Sequence, residues 1–227
     1  PTITSVDIDV AIFPELRKIE AIARLNLKNK SNVSIDKFLI NYPQFSTTEI
    51  EGAIISNYNN DLKTAWMTFD KPLLPGEDVN IRVNVVRQHK GFKDKKEDTS
   101  LVKNGTFINN FALLPTFGVN ADYYLVDQHE RRKQDLAPPQ RAYKLEDESR
   151  YNESFFGKHV GMIDFKAKIS TSEYQTAIAP GYLKDYWSKD KRNYFVYEMD
   201  SPMINFYNIM SAELKVKTQI HKGVEIA

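Results

Sequence analysis

Few side chains in this 227-residue sequence could do chemistry, and their spacing is informative mainly by what it lacks. There are four histidines, His89, His129, His159 and His221, and no cysteine. The missing cysteine excludes disulfides and thiolate metal sites. His129-Glu130 begins as the zinc-binding helix H-E-x-x-H begins, where two imidazoles one turn apart hold the metal and the glutamate activates water. Lys133 stands where the second imidazole belongs, so the ligand pair does not exist. The dipeptide reads as the exposed face of a short polar helix over 127–133.

Other chemistries fare similarly. Ser-His-Asp triads assemble from distant positions, so spacing does not test them. No G-x-S-x-G elbow supports one, and a hydrolase built on His159 with a nearby acid is the weakest reading. The nine glycines form no phosphate-cradling loop; Gly157 and Gly161 stand isolated. The acids Glu146, Asp147 and Glu148 lack the spacing and bend glycine of a calcium loop, and read as a solvated acidic segment. Aromatics are abundant, with 13 Phe, 12 Tyr and 2 Trp. Tyr182, Tyr186 and Trp187 could stack on a sugar ring, but inter-strand packing accounts for such residues in a β protein. The three glycosylation-type triplets at Asn32, Asn104 and Asn152 carry no argument.

Composition narrows the partners. With 31 basic against 30 acidic residues the net charge is +1, so no nucleic-acid or membrane-surface partner is expected. The run from Lys90 to Asp98 mixes both signs and reads as a solvated loop. No apolar run approaches the roughly 20 residues that cross a bilayer. No signal peptide opens the chain, which has no initiating Met. The expectation is one domain over 1–227, excised from a longer protein.

The elements that would position any site are strands. Val6, Ile8, Val10 and Ile12 alternate with Asp7 and Asp9; Ile19 to Leu27 alternates likewise, with Phe13-Pro14-Glu15 between. Ile35 to Tyr42 follows, closed by Pro43, then Glu49 to Ile55. Ala65 to Phe69 and Val79 to Val85 read as a β-hairpin turned at Pro75-Gly76, since Pro presets φ and Gly accepts φ > 0. Gly105 to Asn109 is a short strand. Residues 118–151 change character and are expected to be a long irregular excursion. Alternation resumes over Ile163–Ile169, Tyr174–Ala179, Tyr194–Tyr197 and Phe206–Val216. Roughly a dozen strands and at most one or two short helices predict an all-β fold, an antiparallel sandwich or saddle.

Four segments, in order, resemble one family. Phe69-Asp70-Lys71-Pro72-Leu73-Leu74-Pro75-Gly76-Glu77 is similar to a "pL-x-pGe" segment. Asn109-Asn110-Phe111-Ala112-Leu113-Leu114-Pro115 is similar to a stretch ending in "fP". Ile163 to Ala179 with Pro180-Gly181-Tyr182-Leu183 resembles a strand pair and its turn. Phe195 to Ala212, containing Met199-Asp200-Ser201-Pro202-Met203-Ile204-Asn205-Phe206, resembles the last strands before a catalytic domain. The family is the aminopeptidase N-type zinc metallopeptidases (gluzincins), and the part resembled is the N-terminal β domain. The likeness is closest to a bacterial subgroup in which an ABC-transporter-permease-like membrane half precedes the peptidase-like part.

The resemblance implies a non-catalytic domain that packs on a downstream metal-bearing domain of the same chain and walls its peptide-substrate cleft. The family's H-E-x-x-H helix and G-x-M-E-N-type loop lie beyond Ala227, so no catalytic, metal or cofactor residue is carried over, and zinc belongs to the parent. The resemblance also implies a soluble domain of a membrane-anchored protein, with the extracytoplasmic side one of the two locations it leaves open. The family's amine-anchoring Gln or Glu falls, by spacing, near Thr106, which cannot supply a charge. Asn109 or Asn110 are the candidates to replace it by hydrogen bonding, so Thr106, Asn109 and Asn110 are the expected cleft-facing residues. The competing expectation is a free-standing β-sandwich module that binds carbohydrate or another protein through Tyr182, Tyr186 and Trp187.

Overall fold

The structure, a computed structural model, describes residues 1–43, 46–89, 99–118, 125–138, 144–150 and 161–226. The charged loop 90–98, His159, Gly157 and the Asn152 triplet lie outside them. In chain order the strands begin with β1 (Thr2–Phe13), β2 (Lys18–Lys28), β3 (Ile35–Asn41), β4 (Ser46–Glu51), β5 (Ile54–Asn59) and β6 (Thr64–Leu73). Next come β7 (Asp78–Gln88), β8 (Leu101–Val102), β9 (Gly105–Asn109), β10 (Thr116–Phe117), β11 (Met162–Ser172) and β12 (Thr176–Ile178). The last are β13 (Tyr182–Lys189), β14 (Arg192–Glu198), β15 (Met203–Ile204), β16 (Asn208–Ala212), β17 (Gln219–His221) and β18 (Val224–Ile226). The helices are short: α1 (Asn110–Leu113) and α2 (Gln128–Lys133).

The fold is all-β. One layer is a large sheet in the order β13-β14-β11-β1-β2-β7-β4, with β15 added beside β11. Two four-stranded sheets, β10-β3-β6-β5 and β12-β16-β9-β8, contribute the residues that share its core. Alternation decides which face is buried. Val6, Ile8, Val10 and Ile12 of β1 sit beside Leu25, Ala23, Ala21 and Ile19 of β2, and Ile81, Val83 and Val85 of β7 continue the row. Ile40, Met67 and Phe69 from the second sheet, and Ile108, Ala177 and Ile209 from the third, belong to the same cluster. Each such Val, Leu, Ile, Phe or Met side chain removed from water contributes about 1.5–3 kcal/mol, and each alanine less. The opposite face of the large sheet is charged: Arg24 lies 3.7 and 3.8 Å from Asp7 and Asp9, and Lys168 2.5 Å from Asp9. These exposed pairs set the polarity of the face and add little stability.

Three details depart from the sequence reading. The strands β6 and β7 do not form a hairpin: β6 pairs with β3 and β5, while β7 pairs with β2 and β4. The Pro75-Gly76 turn is there, with Gly76 at φ 84° and Glu77 N–H donating to Leu74 O at 3.0 Å. It is held by Asn29, whose backbone bonds Gly76 and Glu77 and whose buried amide donates to Leu73 O at 2.8 Å. The turn therefore carries the chain from one layer to the other. Glu49 to Ile55 is likewise two strands in two sheets, broken at Gly52-Ala53. Finally, β1 and β11 run parallel, in a register that sets Val6 beside Phe165 and Ile8 beside Ala167. Every other pairing is antiparallel among the described residues.

Within 118–151, the described residues hold α2 and a 3-10 turn at Glu148–Arg150 and no strand. Residues 119–124, 139–143 and 151 lie outside them.

Candidate functional site

The segment from Gly105 to Pro115 is strand β9 followed at once by α1. It sits between β8 and β16, with Thr106 opposite Ser211, Phe107 opposite Met210 and Ile108 opposite Ile209. Side chains alternate across a strand, and the consequence here separates the candidates. Thr106 points inward with Ile108: it is 4% exposed, and its Oγ1 has no hydrogen-bond partner among the described residues.

Asn109 and Asn110 have structural partners. The Asn109 side chain accepts from Ala112 N–H at 2.8 Å, capping α1. The buried Asn110 accepts from Tyr207 N–H at 3.2 Å through Oδ1 and donates to Asn205 O at 3.2 Å through Nδ2. Its own N–H donates to Tyr207 O at 3.0 Å. Asn110 thus ties the start of α1 to the approach to β16. The buried Tyr207 ring meets Phe165 at 4.6 Å, and burial pushes its hydroxyl pKa up. Beneath α1, the buried Arg87 donates to Ala112 O at 2.7 Å, and burial lowers its pKa.

What faces outward at this corner is apolar. Ile178, Met210 and Phe107 lie side by side across β12, β16 and β9, and Phe107 is 55% exposed. At the end of the same strands Phe111 stacks on Phe206, with ring centroids 5.8 Å apart. Sequence reasoning marked this segment but passed over Phe107, Phe111 and Met210. The alternation of Thr106 and Ile108 against Phe107 was the available signal.

The other candidates do not assemble. His129 lies on the exposed α2, whose Lys133 amine bonds Glu130 at 2.7 Å, the position the second imidazole would need. Tyr186 and Trp187 point to opposite faces of β13: Tyr186 contacts Phe195 at 5.0 Å, and Trp187 stacks on Tyr194 at 5.1 Å. No single platform collects both. Among the described residues no group of three or more His, Asp or Glu could hold a metal. Nor is any helix among them long and apolar enough to cross a membrane.

No protein-family profile matches the sequence, and no curated protein matches it. Solved structures do. The M1 zinc metallopeptidase of Deinococcus radiodurans superposes with a TM-score of 0.57 at 10% identity, covering 96% of this chain and 43% of that one. A mutant of the same enzyme bound to a Tyr-Ser-Ala substrate gives 0.57 at 9%, covering 96% and 44%. A two-domain M1 zinc metallopeptidase mutant bound to L-tryptophan gives 0.55 at 9%, with the same coverage. The shared property is the fold. The chain spans less than half the length of these structures.

Proposed function

We infer that this chain is a non-catalytic β domain of a longer zinc-aminopeptidase-like protein, packed on its metal-bearing domain and walling one side of a peptide cleft. The observation that carries the reading is the outward apolar row Ile178–Met210–Phe107, extended by Phe111 and Phe206. It crosses β12 and β16 and ends on β9, just before the segment Asn109–Pro115 that carries part of the resemblance, in a fold that elsewhere accounts for under half of a metallopeptidase. An apolar sheet face of this kind is what a second domain covers. Zinc, peptide substrate and any membrane-embedded, extracytoplasmic setting belong, on this reading, to the parent protein. Asn109 and Phe107, both on the outward side of β9, are the residues nearest the cleft; Thr106 and Asn110 are buried behind them.

The test has two arms. The purified chain incubated with zinc and dialysed should retain no stoichiometric metal and hydrolyse no aminoacyl-p-nitroanilide. Tight zinc at one equivalent, or turnover, overturns the reading. In the full parent polypeptide, Phe107→Asp should loosen the contact between the two domains, seen as a new proteolytic cleavage between them. The isolated chain carrying Phe107→Asp should melt as the unsubstituted chain does, because the side chain is already exposed.

A further inference from the structure

The chain changes sheets between β4 and β5, and the change leaves a cleft. Among the described residues β4 ends the large sheet and pairs only with β7, and β5 ends the second sheet and pairs only with β6. Only Gly52 and Ala53 separate them, so two free edges diverge from one corner. Between them lies an open cleft of about 1200 Å3.

Ser46, Thr47, Thr48, Glu49 and Ile50 all border this cleft. Successive side chains of a strand point to opposite faces. A run in which every residue borders the same space places that space along the strand's edge, and Val86 and Gln88 of β7 carry it over the outer face of the β4–β7 pair as well. An edge offers backbone N–H and C=O groups at strand spacing. Beyond their pairing with β7, residues 46–51 make no backbone hydrogen bond among the described residues. The facing wall is aromatic and aliphatic: Tyr42, Tyr58 and Ile55 line it, and the two tyrosine rings meet edge to face at 5.3 Å. Glu49, Asp61 and Lys63 bring both signs of charge to the lining, so no strongly charged ligand is selected.

We propose that this cleft takes an extended peptide segment of another polypeptide, added as a strand to the free edge of β4 with one aromatic or aliphatic side chain seated against Tyr42 and Tyr58. The chemistry that identifies the occupant is the edge itself. Alternating donors and acceptors at strand spacing are matched by another peptide backbone, and the side-chain wall then reads every second residue. A sugar or nucleotide has no such period. The inference does not rest on the proposed domain packing, which uses the sheet β12-β16-β9-β8 and other side chains.

The experiment selects a random linear peptide library against the immobilised chain and against its Tyr58→Ala variant. Tyr58 is 52% exposed, so the variant should fold, which matching far-UV spectra and melts confirm. The expected result is enrichment of alternating apolar sequences on the unsubstituted chain, with roughly tenfold weaker binding to the variant. The best peptide is then made in two N-methylated forms, each blocking alternate backbone N–H groups. One form should lose binding and the other keep it, with slowed amide exchange confined to residues 46–50. No enrichment over the variant, equal binding of the two methylated forms, or protection at another strand each overturns the proposal. Equal binding with Tyr58 still required would point instead to a ligand held by side chains alone.

Discussion

Replacing Asn110 by Ala tests whether this residue holds the fold together at the corner where β9 meets α1. The amide accepts from Tyr207 N–H and donates to Asn205 O, both at 3.2 Å, and is buried. Alanine removes these bonds at once, together with the longer one from Nδ2 to Asn205 Oδ1 at 3.4 Å. Tyr207 N–H has no other acceptor among the described residues and is buried, and a stranded donor of this kind costs about 1–3 kcal/mol. Adding the lost donation to Asn205 brings the total to about 2–4 kcal/mol. For a chain of this size each kcal/mol moves Tm by about 2–4 °C, so a fall of roughly 4–16 °C is expected. Thermal melts by circular dichroism measure it, and hydrogen exchange at the Tyr207 amide locates it, since that amide should lose protection first. Asn110→Asp keeps the acceptor but sets a carboxylate against the Asn205 carbonyl, so its deficit should shrink on acidification as the acid regains a donor. A melt of Asn110→Ala within about 2 °C of the unsubstituted chain would refute the reasoning and leave the side chain free for a ligand.

Two further outcomes follow from the geometry. Gly181 sits at φ 99°, and a Cβ there would lie 2.6 Å from the backbone of Glu198, so Gly181→Ala should detach β13 and cost well over the ~1 kcal/mol of backbone strain alone; exchange at the β13 amides reads this directly. His89 has its pKa lowered by burial, then by Arg87 and Arg17. The unfolded chain therefore binds that proton more readily than the folded one, and this contribution is complete above the unfolded value of about 6.5 and lost as pH falls below it. Urea melts between pH 7.5 and 5.5 should show stability declining with acidity, and His89→Gln should flatten that slope.

Period-two alternation made the strand faces legible. Val6 to Ile12, Ile19 to Leu27 and Ile81 to Val85 are buried as their spacing demands. Partners were not legible, because alternation says which face is apolar and nothing about which strand lies beside it. Two neighbouring strands with a turn between them read as a hairpin, yet Asn29, far back in the chain, holds that turn between layers. β13 escaped notice for a different reason: it is an edge strand with almost no buried face, so no alternation marks it. At the candidate site the segment was legible and the roles were not. Spacing put Thr106 at the expected cleft, but its parity on β9 turns it inward and turns Phe107 out.

The parallel pairing of β1 with β11 has a consequence for how the chain comes to be folded. β1 lies in the interior of the large sheet, and its second edge is closed by residues about 160 positions later, Ser5 lying beside Asp164. At ribosomal rates of about 5–20 residues per second, that edge waits on the order of ten to thirty seconds for its partner. Until Met162–Ser172 emerges, β1, β2 and β7 form a sheet whose β1 edge is unpaired, a template on which a second nascent chain can pair. A chain truncated before β11 should therefore aggregate more readily than the whole chain, as light scattering on refolding would show.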